Sequence, residues 1–236
     1  MISLSILKYE PDLHIDRIED SKALSQILKL IQTGKVHDVH IDVMRLPMIP
    51  NQTRFPIPLI KNLYEALNTK ILLVLHLMVK DPFPIIKQIN KFVPFEKRGN
   101  MTIIMQLESF STEDATIKAL NRLCEYGYRM GICIDLPTRW ETLTDNIIEN
   151  ADIILIMSVP MGLGGQKFSD EAIIRIMAVS RRFPGKIIEV DGGINVKTIV
   201  KTREAGAKVA VIGSFITLSE DPEKAILQIE ESLRET

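Results

Sequence analysis

Leu7-Lys8-Tyr9-Glu10-Pro11, the five residues that close the first apolar run of the chain, contain no glycine. That gap separates two architectures. Short apolar, β-branched runs recur at 2–7, 36–43, 71–76, 101–106, 130–135, 152–157, 186–190 and 208–212. Between most of them lie stretches with helical period. In 111–126, Ile117, Leu120, Leu123 and Cys124 make one apolar face, and in 170–182 Ile173, Ile174, Met177 and Ala178 do the same. Ser111 and Ser169 stand where capping residues start such helices. Strands alternating with helices imply right-handed βαβ units and a parallel sheet covered on both faces.

Eight units can close into a barrel or lie open as a doubly wound sheet. An open sheet that binds a dinucleotide usually carries a glycine-rich turn after its first strand, and here that turn is the glycine-free segment. The glycines gather instead after runs six, seven and eight, where a barrel builds a phosphate site. The chain is therefore read as α/β, a single-domain eight-stranded (β/α) TIM barrel over residues 1–236.

Composition bounds the function. Of 236 residues 46% are apolar, ample for one large core, and the net charge is −1 with scattered basic residues. No basic excess offers a nucleic-acid or anionic-membrane surface. Cys124 and Cys133 are too few for a disulfide framework and are expected as buried, reduced thiols. No apolar run is long enough to span a bilayer. The N-terminus lacks a signal-peptide pattern, so a cytoplasmic protein is expected.

The chemistry sits at strand ends. His40 and His76 end runs two and three, Asp42 lies two residues beyond His40 on the same strand face, and Asp191 follows run seven. Singly, each reads as a residue that caps a loop. Together on one rim, two imidazoles and two carboxylates suit one divalent ion: zinc, iron or manganese. Strand seven lies three places from strand two, so Asp42 and Asp191 face each other across the mouth. Such a pair can take a proton from one face of a planar intermediate and return one to the other, with the metal stabilising the enediolate. Opposed carboxylates also serve glycoside hydrolysis, but the low aromatic content offers no polysaccharide groove.

Three glycine segments suit an anion: Gly162, Gly164 and Gly165 with Gln166 after run six, Gly192 and Gly193 after run seven, and Gly213 with Ser214 after run eight. Gln166-Lys167 could close over a substrate. Met44, Met78 and Met157 stand at or just past strand ends, either as core filling or as an apolar floor beneath the metal.

With these residues assembled, the chain resembles the ribulose-phosphate 3-epimerase family along nearly its whole length. The resemblance is carried by Ile2-Ser3-Leu4-Ser5-Ile6-Leu7, His40-Ile41-Asp42-Val43-Met44, His76-Leu77-Met78-Val79, Leu136-Pro137-Thr138, the loop Gly162-Leu163-Gly164-Gly165-Gln166-Lys167-Phe168, Val190-Asp191-Gly192-Gly193 and Gly213-Ser214. It implies that His40, Asp42, His76 and Asp191 ligate the metal, that Asp42 and Asp191 invert carbon 3 of a ketose phosphate, and that Ser5 helps hold the substrate. The chain departs from the pattern at Arg45-Leu46, where the family has Asp-Gly. It departs also at Met161 (a proline), at Gln106 (a histidine), and at Lys8 and Glu10 (a serine and an acidic residue).

These departures surround the sugar and leave three readings open. They are a 3-epimerase of D-ribulose 5-phosphate, a 3-epimerase of a hexulose 6-phosphate such as allulose 6-phosphate, and a non-catalytic sugar-phosphate-binding barrel. Arg45, a cation near the metal, leans towards the binder, and the intact aspartate pair leans towards catalysis. The expected partner is a small sugar phosphate, without nucleic acid or membrane, bound by a homo-oligomer.

Overall fold

The computed structural model describes residues 1–50 and 52–234. Eight parallel strands close on themselves in sequence order, β1 pairing with β8. They are β1 (Ile2–Ser5), β2 (Val36–Met44), β3 (Leu72–Met78), β4 (Met101–Gln106), β5 (Arg129–Ile134), β6 (Ile153–Met157), β7 (Ile187–Asp191) and β8 (Val209–Ile212). Each expected run is a strand. The first is shorter than expected because the chain turns after Ile6, whose carbonyl accepts from the amide of Tyr9.

The helices alternate with the strands: α1 (Lys22–Gln32), α2 (Ile57–Leu67), α3 (Phe83–Ile89), α4 (Glu113–Glu125), α5 (Asp145–Asn150), α6 (Glu171–Arg182), α7 (Thr198–Ala205), α8 (Ser214–Thr217) and α9 (Pro222–Arg234). Ser21, Thr112 and Thr144 cap α1, α4 and α5 by accepting backbone N–H groups. Thr112, not Ser111, is thus the cap of α4. Ser169, two residues before the start of α6, accepts from the amide of Glu171 at 3.4 Å.

Two expected helix faces are displaced. On α4 the buried residues are Thr116, Ala119, Leu120 and Leu123, and Cys124, a further ~100° around the helix, is exposed. Only Cys133 is a buried thiol. On α6 the buried set is Ala172, Arg175, Ile176 and Val179, whereas Ile174 is 68% exposed.

Strand alternation divides the core into two compartments. Outward residues such as Leu4, Ile41, Leu75, Ile103 and Ile132 pack against the helices. Inward residues Val74, Ile104, Cys133, Leu155 and Val211 fill the barrel. Towards the C-terminal end the inward positions turn polar. In register, Ser5 pairs with His40, Asp42 with His76 and Met157 with Asp191. One layer of side chains at the mouth therefore carries the candidate chemistry. Among the described residues no helix is long and apolar enough to cross a membrane.

Candidate active site

On β2 the inward side chains are Asp38, His40, Asp42 and Met44, each two residues apart. His40 and His76 are fully buried, their rings edge to face at 5.5 Å. Asp42 stands between them. Its Oδ1 lies 3.4 Å from His40 Nε2 and 3.3 Å from His76 Nδ1, and its Oδ2 accepts from Ser5 Oγ at 3.0 Å. With Asp191, one donor atom from each of these residues lies within 4.8 Å of all the others.

The donor set fits a divalent ion. Ligand atoms bound at ~2.0–2.2 Å around a tetrahedral centre stand roughly 3.3–3.6 Å apart, close to the 3.4 and 3.3 Å that separate Asp42 Oδ1 from His40 Nε2 and His76 Nδ1. Neither ring nitrogen of His40 has a hydrogen-bond partner in satisfactory geometry, although both are buried. A cation in the cluster would take Nε2, which faces Asp42, while Nδ1 faces Glu189.

Electrostatics point the same way. Burial disfavours a charged His40, yet Asp42 and Glu189 outweigh it and hold its pKa well above the usual histidine range. Burial would raise Asp42, but the neighbouring His40 and His76 bring it far below the usual carboxylate value. Asp191, buried and facing the Asp42 charge, is pushed up to about 7. Burial lowers His76 despite the opposing pull of Asp42. The cluster concentrates negative charge around a point that only His40 offsets.

Above the cluster opens a pocket. It is lined by Ser5, Asp42 and Asp191, by Met44, Met78 and Met157, and by Gly162, Gly164, Gly165, Gln166, Gly192, Gly193, Gly213 and Ser214. Apart from the buried His40 and His76, the candidate site residues thus surround one space. Gly193 shows why glycine is needed there. Its φ is +59°, and a Cβ on it would stand 2.4 Å from the backbone nitrogen of Phe168. The β7 and β6 loops touch backbone to backbone at that point. The β6 loop is anchored by the amide of Met161, which donates to Asp135 Oδ1 at 2.8 Å. The Gln166 amide donates to the loop carbonyls of Pro160 and Leu163, so its NH2 group braces the loop's own turn.

Arg45 departs from its expected place. Its guanidinium donates to the carbonyls of Met44, Arg54 and Phe55, and its side chain is absent from the pocket lining. The Glu10 carboxylate grips the same segment, accepting from the amide of Phe55 and from Arg54 Nη1. Between them they hold Phe55, buried and at φ +51°, in a backbone conformation rare for a non-glycine residue. Arg45 is therefore a loop brace, and a cation opposing the metal is not what this residue supplies. Leu46 is exposed, and Met161 packs beside Met44, Met78 and Ile49.

Glu189 and Asp38 were missed. Glu189 Oε1 lies 3.3 Å from His40 Nδ1, and Asp38 lies below, accepting from Ser3 Oγ. Burial and Glu189 raise Asp38 to about 7. The signal was present: Glu189 precedes Asp191 by two residues inside an apolar strand, as His40 precedes Asp42.

The sequence model of the ribulose-phosphate 3 epimerase family matches residues 17–217. The chain is 31% identical over 218 residues to the ribulose-phosphate 3-epimerase of Bacillus subtilis (strain 168), covering 89% of this chain and 93% of that one. It is 28% identical over 195 residues to the enzyme of that name from Schizosaccharomyces pombe, covering 83% and 81%. Among solved structures, the 3-hexulose-6-phosphate synthase of Salmonella typhimurium superposes with a TM-score of 0.66 at 17% identity, over 99% of this chain and 98% of that one. At that identity the likeness is one of fold. The family match and the identity to its curated members rest on most of the chain, and this protein belongs to the ribulose-phosphate 3-epimerase family.

Proposed function

We propose that this chain inverts carbon 3 of a ketose phosphate, interconverting D-ribulose 5-phosphate and D-xylulose 5-phosphate. One observation carries the reading. Two carboxylates from strands three places apart, Asp42 and Asp191, meet at a His-Asp cluster on the floor of a glycine-lined pocket. A binding protein has no use for an acid/base pair placed across its ligand.

In this reading the phosphate lies among the late glycines, held by backbone N–H groups of the loops after β6, β7 and β8. Ser5, bonded to Asp42 Oδ2, keeps that carboxylate turned towards the pocket. One aspartate takes the carbon 3 proton, and the other, from the opposite side, returns a proton to the planar intermediate. Met44, Met78 and Met157 keep water from that intermediate. His40, Asp42, His76 and Asp191 would hold a divalent ion, zinc, iron or manganese, which supplies Lewis-acid stabilisation of negative charge on the substrate oxygens.

Asn at either position keeps the shape and removes the base. Asp42→Asn and Asp191→Asn should each lower turnover by at least ~10²–10⁴-fold. Each metal-loaded variant should still exchange the carbon 3 proton of one epimer with solvent, and the two should differ in which epimer. Near wild-type epimerisation by both variants, with metal content verified, would remove the two-carboxylate mechanism.

A further inference from the structure

The ring of His76 is held from behind by a residue pair that the proposed chemistry does not use. Gln106, fully buried at the end of β4, places its terminal amide 3.2 Å from His76 Nε2. The amide has two orientations. With NH2 towards His76, its oxygen faces only acceptors, the Glu108 carboxylate and the Cys133 carbonyl. Turned over, the NH2 donates to Glu108 Oε2 at 2.8 Å and to Cys133 O at 3.2 Å, and the oxygen accepts from His76 Nε2 at 3.2 Å. The second orientation satisfies every atom. Met161 Sδ, 3.2 Å from the atom facing His76, tolerates either. Glu108 is itself fixed, its Oε1 accepting from the amide of Asp135 at 2.9 Å.

A neutral imidazole carries one N–H. If Gln106 Oε1 takes it at Nε2, in preference to Asp42 Oδ1, the competing acceptor 3.3 Å from Nδ1 when no ion is bound, the bare lone pair is Nδ1. We infer that Glu108 and Gln106 are positioning residues: Glu108 orients the Gln106 amide, and the amide holds the His76 proton on Nε2, presenting Nδ1 as the metal-facing donor. The inference rests on the proposed metal site. It also makes a claim about the metal-free protein that can be tested alone. Partners of this kind orient ligating histidines and raise their basicity.

Glu108→Gln is the discriminating change. Gln at 108 can keep the bond to the Asp135 amide while offering NH2 to Gln106. Gln106 must then turn its oxygen to residue 108 and its NH2 to His76, which drives the proton to Nδ1. In 15N spectra of metal-free protein, with His76 assigned by its loss in His76→Asn, the wild type should be protonated at Nε2 and Glu108→Gln at Nδ1. Cobalt(II) affinity, read from the ligand-field spectrum, should fall about 10–100-fold in Glu108→Gln. The double variant Gln106→Glu with Glu108→Gln restores an acceptor towards His76 and should recover the affinity to within a few-fold. A role in packing alone predicts no such rescue. An unchanged His76 tautomer in Glu108→Gln, or a double variant no better than the single one, overturns the inference. Wild-type protein that binds no cobalt(II) would sink the metal reading instead, while the tautomer measurement still judges the pair.

Discussion

At the level of single residues, the site was readable wherever a polar side chain interrupts an apolar strand at its C-terminal end. His40, Asp42, His76 and Asp191 all satisfy that description, and the structure brings all four together. Glu189 satisfies it too, and the two-residue period of β7 places it on the same inward face as Asp191. Gln106 differs, because an amide gives no hint in sequence of which atom it turns to its neighbour. Arg45 was legible only as a departure. Its partners are backbone carbonyls at 44, 54 and 55, and no side-chain pattern announces them. Arg45→Met should therefore act on stability. Lost hydrogen bonds from a half-buried cation predict a loss of about 1–3 kcal/mol in denaturant unfolding, with the ranking of ketose phosphates unchanged. A changed ranking at unchanged stability would place the guanidinium at the sugar.

At the scale of elements, strands were easier to read than helix faces. An inward or outward strand position follows from parity alone once the strand is located. On α6, apolar residues at 172, 173, 174, 176, 177 and 179 admit more than one face. The choice is made by Arg175, buried because it donates to the carbonyls of Asp135 and Leu136. That is a tertiary fact invisible to a local period. The glycine loops carry a prediction of their own. A side chain at Gly193 strikes the backbone of Phe168, so Gly193→Asp would displace the β6 loop and confuse binding with folding. Gly213 is the cleaner probe, since a Cβ there meets only Ser5, at 3.3 Å. Two like charges 4 Å apart repel by about 4 kcal/mol at an effective dielectric of 20, less at a solvent-screened mouth. Gly213→Asp should weaken a phosphorylated ketose about 10–100-fold and leave metal content unchanged. Equal affinity in wild type and variant would move the phosphate elsewhere.

For the whole molecule, closure of the barrel turns eight separate strand ends into one rim. A site spread from residue 5 to residue 214 can then line a single pocket. Sequence order, the glycine-free first turn and the late glycines were enough to expect that closure, and the pairing of β1 with β8 completes it. Leu46 and Met161 stand where the family pattern has other residues, Leu46 on the loop that Arg45 braces and Met161 on the loop after β6. The proposed role of this rim is to present a carbon 3 acid/base pair to a ketose phosphate. It is tested most directly by incubating the purified, metal-loaded protein in heavy water with D-ribulose 5-phosphate, and in parallel with allulose 6-phosphate, and following carbon 3 by NMR. Deuterium is expected at carbon 3 together with D-xylulose 5-phosphate in the first reaction, faster than any exchange in the second. No deuterium at carbon 3 of either sugar, from protein that demonstrably holds its metal, would contradict it.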